Sequence, residues 1–149
     1  MARSHWYEEF EIGSVHRLGE RTITLEDHLA FCHLVGYRVP LFLDDAAGRN
    51  TAYGGLICPS HLIMSFSTSM TGALFSESIR GLLAIEGARF MAPVRPGDTI
   101  RTEVEVAAKR TTSKPGVGVV TFRDHVYNQH DQEVFRNDKI ALIAMRPQP

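Results

Sequence analysis

Pro59-Ser60-His61-Leu62-Ile63-Met64-Ser65-Phe66-Ser67-Thr68-Ser69-Met70-Thr71-Gly72-Ala73-Leu74 is the stretch on which the fold turns. Proline suits the first turn of a helix, and Leu62, Phe66, Met70 and Leu74 then recur four residues apart with Ile63 beside them. An amphipathic surface helix sets charges opposite its apolar stripe. Here those positions hold Ser, Thr, Ala and Gly, so the helix is expected to be enclosed on most sides and to form the centre of the fold.

Beyond this helix the apolar period shortens to two. Leu82 to Pro93 is apolar with an interruption at Gly87. Thr99 to Ala107 alternates, with Ile100, Thr102, Val104 and Val106 on one face and Arg101, Glu103 and Glu105 on the other. Val117–Tyr127 and Glu133–Met145 are two further runs joined through Asn128-Gln129-His130-Asp131, and Arg95-Pro96-Gly97-Asp98 and Ser113-Lys114-Pro115-Gly116 supply turns. Upstream, Val15 to Thr24 reads as a strand or extended arm. Thr24-Leu25-Glu26-Asp27 then places an acid three residues after a threonine, which favours a helix from about Leu25 to Val35, with Leu25, Leu29 and Cys32 on one stripe and Gly36 as its stop. Gly36 to Pro59 is expected to be a long ordered loop with one short turn near Asp44 to Gly48, and a loop of that length usually covers a site. The pattern predicts one α+β domain over residues 1–149, an antiparallel sheet wrapped around a central helix.

A chain of 149 residues is long enough for a real core, burying about 70% of its unfolded surface. The 16 basic and 17 acidic side chains leave a net charge of −1 without long runs of either sign, which argues against nucleic acid and anionic membranes as partners. Met1–Tyr7 has no apolar leader segment, and no run reaches the roughly 18 apolar residues that span a bilayer, so a soluble, untargeted protein is expected. Cys32 and Cys58 lack CxxC or Cys/His ligand spacing and read as small buried hydrophobes in a reducing cytoplasm.

Four segments, in order, carry a resemblance. Trp6-Tyr7-Glu8-Glu9-Phe10-Glu11-Ile12-Gly13 looks like a "Y-x-D-F-x-x-G" opening, and Thr22-Ile23-Thr24-Leu25-Glu26-Asp27 like a "T-I-T-E-x-D" helix entry. Arg89 to Thr99 is similar to "RF-x-x-PV-x-PGDT", and Asn128-Gln129 with Glu133-Val134 to "NQ-x-x-E-V-V". Together they resemble the MaoC-like hydratases, the family of R-specific enoyl-CoA hydratases, over nearly the whole chain. That resemblance implies a hot-dog fold, a hydratase or dehydratase activity on acyl thioesters, and dimers whose sheets join and whose sites lie near the interface. Coenzyme A enters only as part of the substrate, and no other cofactor or metal is implied.

The family's active-site signature runs approximately "G-D-x-N-P-x-H-x-D". Gly36, Pro40 and Asp44 fit it, whereas the catalytic Asp is replaced by Tyr37, the Asn by Val39 and the catalytic His by Phe42. Tyr53-Gly54-Gly55 and Ile57-Cys58-Pro59-Ser60 keep the "F-G-G-x-I-A-x-G" entry to the central helix. Hydration of an enoyl thioester needs donors at the carbonyl oxygen and a positioned acid and base. Backbone amides at the helix start supply the first requirement whatever their side chains. A Phe ring cannot supply the second, and a phenol of ordinary pKa about 10 stays protonated at neutral pH.

The expected catalytic candidates are therefore Asp44, His61 and Tyr37, with Phe42, Tyr53, Gly54, Gly55 and Ser60 binding substrate. Asp44 and Asp45 read more readily as a helix cap and a solvated acid than as catalysts, because Asp is strongly preferred at N-caps. His33 is expected to pack, hydrogen-bonded, under the loop, and Tyr37 is either a donor to the substrate carbonyl or an apolar plug. Arg101, Lys109, Arg110 and Lys114 either meet nucleotide phosphates or form a solvated sheet face. His125 and His130, five apart across a strand and its turn, are not expected to share a metal. Two alternatives stay open: an acyl-binding subunit without catalysis that partners an intact hydratase chain, or a thioesterase in which Asp44 or Asp45 activates water.

Overall fold

The computed structural model describes residues 3–149, so the first two residues of the Met1–Tyr7 stretch lie outside it. Five strands, β1 (Val15–Thr22), β2 (Ile79–Phe90), β3 (Thr99–Thr111), β4 (Val117–Tyr127) and β5 (Glu133–Ala144), form one sheet. All pairings are antiparallel, in the order β1-β3-β4-β5-β2. Four helices accompany them: α1 (Leu25–Val35), α2 (Pro40–Leu43), α3 (Asp45–Arg49) and α4 (Ser60–Thr71). The concave face of the sheet wraps α4, the expected hot-dog arrangement. Among the described residues no helix is long and apolar enough to cross a membrane.

Local chemistry sets the boundaries. The Thr24 hydroxyl accepts from the Asp27 amide and caps α1, while Gly36 ends it at φ 70°, where a Cβ would strain the backbone. Two segments depart from the expected reading. The loop after Gly36 contains a helix, α2, because Pro40 at its first position has φ already set and no amide to satisfy. β2 starts at Ile79, not Leu82, since Ile79 already pairs with Ile143 across the polar Arg80-Gly81, and it ends at Phe90, short of Pro93, which has no amide to offer a ladder. Gly87, at φ 60°, sits where the register slips between Glu86 and Arg89.

The stripe on α4 is rotated from the expected one. Leu62, Ile63, Ser67 and Thr71 are buried, Phe66 and Met70 half-buried, and His61, Ser65 and Ser69 face solvent. Small hydroxyl residues on the inner face let the helix approach the sheet closely, which is why a purely apolar stripe missed them. On α1 the buried pair is His28 and Cys32, whereas Leu25 is 51% exposed. His33, expected beneath the loop, is exposed.

The core is layered. One apolar cluster includes Ile23, Cys58, Ile63, Ile100, Val126 and Phe135; a second includes Phe10, Leu74, Val104, Phe122 and Ala141. Between them, the inward positions Ser67 and Thr71 on α4, Thr102 on β3, Asp124 on β4, and Asn137 and Lys139 on β5 are all polar and buried. A charged seam thus crosses the core beneath the central helix.

Candidate functional site

The segment before α4 is tied down at both ends. The Cys58 amide donates to the Val94 carbonyl at 2.7 Å. The Leu62 and Ile63 amides turn back to the Pro59 carbonyl at 3.0 and 3.4 Å, so among the described residues the Ser60 and His61 amides are the free donors at the helix tip. A cavity of about 190 Å³ opens there, lined by Tyr53, Cys58, Ser60, Ile63, Phe90 and Val134, among others. Most of the residues lining it are apolar, and Ser60 brings the tip of α4 to its wall, where negative charge on a ligand oxygen is favoured.

Beside it lies a wider groove of about 770 Å³, lined by Thr24, Leu25, Asp45, Gly54, Gly55 and Arg95, among others. Arg95 and Asp45 lock its wall. The Arg95 guanidinium donates to the carbonyls of Leu56, at 3.2 Å, and Tyr53, while Asp45 accepts from the Leu56 amide at 3.1 Å and pairs with Arg49 at 2.7 Å. The Leu56 amide, aided by Arg49 and Arg95, holds the Asp45 carboxyl below the usual carboxylate range. Gly48 makes this packing possible: a Cβ there would lie 2.2 Å from the Gly55 carbonyl oxygen. Neither Arg95 nor Gly48 stood out in the sequence, where one sits in a turn and the other in a loop.

His28 links the aromatic loop to the cavity. Its Nε2 lies 2.5 Å from the Phe42 carbonyl oxygen and its Nδ1 lies 3.4 Å from Cys58 Sγ. A carbonyl only accepts, so Nε2 carries the hydrogen and Nδ1 accepts from the Cys58 thiol. Burial, with Asp98 and Cys32 adding to it, pushes the Cys58 thiol up to about 12, consistent with a protonated donor. The spacing of His28 and Cys32, four apart on α1, was the signal available for this buried pair.

The expected site residues fall into three groups. Tyr53 and Ser60 line the cavity, and Gly54 and Gly55 line the groove. His61 is exposed on the first turn of α4 and lines neither cavity nor groove. Tyr37 and Phe42 stack on one another, centroids 5.0 Å apart and planes 16° from parallel, with neither ring in the lining of cavity or groove. Asp44 caps α3 by accepting from the Ala46 amide at 2.9 Å.

Other expected sets are dispersed. His125 lies between Glu105, at 3.2 Å, and Glu133, at 2.8 Å, while His130 is exposed in the turn. Arg101 pairs with Asp131 at 2.8 Å and covers the Tyr127 ring, and Lys109 lies over the Tyr7 ring, so these two cations are engaged within the domain. Among the described residues no cluster has the geometry to hold a metal ion.

Residues 9–128 match the family described as the MaoC like domain. The chain is 29% identical to Protein MaoC of Klebsiella aerogenes over 112 residues, 73% of this chain and 32% of that protein, so it spans about a third of that relative's length. The structure of the monoamine oxidase regulatory protein from Archaeoglobus superposes with a TM-score of 0.90 at 30% identity, covering 99% of each chain. The (R)-hydratase from A. caviae involved in PHA biosynthesis superposes with a TM-score of 0.74 at 26% identity, over 93% of this chain and 99% of that one.

Proposed function

This chain belongs to the MaoC-like domain family, and from that membership we propose that it binds an acyl thioester, of coenzyme A or of a carrier protein, at the tip of α4. The reading extends to a hydratase or dehydratase, a lyase whose acid and base differ from the family's pair. The observation that carries it is the convergence of two free helix-tip amides with an apolar-walled cavity. The amides face the place where a thioester carbonyl would gain enolate charge, and the cavity takes the acyl group. Tyr53 and Ser60 would contact the substrate from the cavity and Gly54 and Gly55 from the groove beside it, while the Phe42 ring, stacked on Tyr37 outside both, belongs to the loop that His28 pins in place.

For the acid and base we assign His61, Tyr37 and Asp44. His61 follows the cavity-lining Ser60 and is exposed, Tyr37 offers a phenol on the loop, and Asp44 keeps one carboxylate oxygen beyond its cap. The exposed edge strand β2 carries Leu82, Leu83 and Ile85 at 49%, 55% and 42% exposure, an apolar edge that a second copy would cover. A homodimer through β2 brings further side chains toward Phe90 and the cavity mouth. The two free, buried thiols fit a reducing compartment, and the cytoplasm is the location we propose.

Calorimetry with acyl-CoA esters tests the binding claim, and no saturable heat at any chain length would remove it. Hydration of crotonyl-CoA tests the chemistry: activity that drops on His61→Gln supports the assignment. The Tyr37–Phe42 stack favours a second reading, an acyl-holding subunit without catalysis that pairs with an intact hydratase chain. Hydration by the isolated chain at ordinary enzyme rates would dismiss this alternative.

A further inference from the structure

The outer face of the sheet, turned away from α4, carries a hollow of about 320 Å³ lined by Gly87, Arg89, Arg123, Arg136 and Asp138. Arg123 and Arg136 alternate along β4 and β5 with the buried Asp124 and Asn137, so their side chains stand on the outer face. Arg89 on β2 lies directly opposite Arg136 in register, and like charges so placed on a sheet repel. The nearby acids relieve little of this. Asp138 is engaged by the Arg123 fork, at 2.8 and 3.0 Å. Glu133 lies 3.8 Å from Arg136 but 2.8 Å from His125. Glu86, the register partner of Asp138, forms no ion pair with any of the three arginines among the described residues, and Arg89 itself has no ion-pair partner there. The backbone leaves the hollow open at Gly87, where φ is 60°, the register slips, and a Cβ would meet nothing within 4 Å.

We propose that this hollow binds a phosphate group carrying at least two negative charges, such as a diphosphate, between Arg89 and Arg136. A guanidinium presents paired N–H donors that match two phosphate oxygens, and an anion between two such groups replaces their repulsion by attraction. Arg123, held in place by Asp138, adds a third cation at the wall. A volume of about 320 Å³, at roughly 30 Å³ for each water-sized atom, holds about ten heavy atoms, enough for a diphosphate. The hollow is on the side of the sheet opposite α4, so the proposal stands apart from the acyl-thioester reading of the cavity. Pairing of two chains along the β2 edge would use backbone groups and leave this face open.

Calorimetry on the full chain with pyrophosphate and with coenzyme A tests this, at low salt because screening weakens exposed charge contacts. Pyrophosphate is expected to bind saturably, and Arg89→Gln and Arg136→Gln are each expected to weaken it about tenfold, as loss of one charge-assisted hydrogen bond would. Arg89 is exposed, so its variant is expected to fold. Arg17→Gln removes the same charge from β1, at the other edge of the sheet, and is expected to leave the affinity at the parent's value. No saturable pyrophosphate binding overturns the proposal. An equal loss in all three variants also overturns it, since the anion would then be drawn to the whole face and not to the hollow. Coenzyme A binding that falls with Arg89→Gln as pyrophosphate binding does supports the site as a seat for the nucleotide end of a thioester. Coenzyme A binding unmoved by Arg89→Gln, with pyrophosphate weakened, supports it as a seat for a separate phosphate ligand.

Discussion

Lys139 Nζ lies 2.8 Å from Asp124 Oδ2 in the middle of the core, with the two side chains 3% and 0% exposed. Burial raises the Asp124 carboxyl and lowers the Lys139 ammonium, while each partner pulls the other back toward its charged form. The ammonium's aligned hydrogen bond goes to Thr71, so the pair also ties β5 to the C-terminal end of α4. Removing one partner leaves an uncompensated charge. Lys139→Met is therefore expected to cost about 3–5 kcal/mol in denaturant unfolding. The double change Asp124→Leu with Lys139→Met is expected to recover most of that loss, because two apolar groups replace two charges. A single variant as stable as the parent would show that the pair carries no such energy.

His16 makes the N-terminal arm sensitive to acid. Its ring lies 5.3 Å from His5, and burial first, then the His5 charge, lower its pKa below the ordinary value of 6.5. The unfolded chain therefore takes the proton more readily than the folded one. The stability this group contributes is present above pH 6.5 and is lost as pH falls through the lowered folded value. Hydrogen exchange at the His5 amide, which donates to the Leu74 carbonyl at 2.7 Å, is expected to quicken over that range beyond its intrinsic pH dependence. His16→Gln is expected to flatten the response, and an unchanged profile in that variant would place the sensitivity elsewhere.

Gly48 is a backbone contact point for the groove. An alanine Cβ would sit 2.2 Å from the Gly55 oxygen and 2.9 Å from the Leu56 nitrogen, atoms that Asp45 and Arg95 hold in place. Gly48→Ala is expected to destabilise the domain by about 1–3 kcal/mol and to loosen the wall beside the cavity. Thermal unfolding and acyl-CoA calorimetry on the same sample read both effects. A variant with parental stability and affinity would show that the loop yields freely.

The apolar edge of β2 predicts association. Leu83→Lys places a charge on a strand edge that is 55% exposed in the isolated chain, the device by which natural sheets avoid edge pairing. Sedimentation is expected to show the parent as a dimer and the variant as a monomer. A monomeric parent at micromolar concentration would remove the proposed interface.

Much of this architecture was legible as period and punctuation. Thr24 and Gly36 bounded α1 because their side-chain oxygen and free φ act locally, and the alternation of Ile100, Thr102, Val104 and Val106 gave the buried face of β3 directly. The seam was not legible. Asp124, Asn137 and Lys139 sit on strands where polar residues ordinarily face water, and their burial depends on partners from α4 and neighbouring strands that no local pattern reveals. For His28 the spacing to Cys32 hinted at burial, but its two partners, Phe42 and Cys58, lie 14 and 30 residues away and left no local mark. The helix tip was found because glycine and proline mark it in sequence, whereas Arg95, which locks the groove, looked like one more turn residue.

The aromatic loop offers the sharpest test of the chemistry. Tyr37 and Phe42, which the sequence resemblance aligns with the family's acid and imidazole, stack on one another at 5.0 Å. The loop's frame does not depend on those rings: the Phe42 carbonyl, not its side chain, receives the His28 hydrogen, and the Tyr37 amide donates to the Cys32 carbonyl at 2.8 Å. The triple change Tyr37→Asp, Val39→Asn and Phe42→His is thus expected to fold, losing the stack at a cost of about 0.5–1.5 kcal/mol. If the cavity and helix-tip amides are already arranged for a thioester, a positioned acid and base are the missing part, and they are typically worth about 10²- to 10⁴-fold in rate. Crotonyl-CoA hydration by the triple variant is expected to exceed that of the parent by a factor in that range, with Phe42→His alone giving little because the imidazole would lack its acidic partner. A folded triple variant that binds acyl-CoA yet hydrates no faster than the parent would mean that the loop does not face the bound thioester.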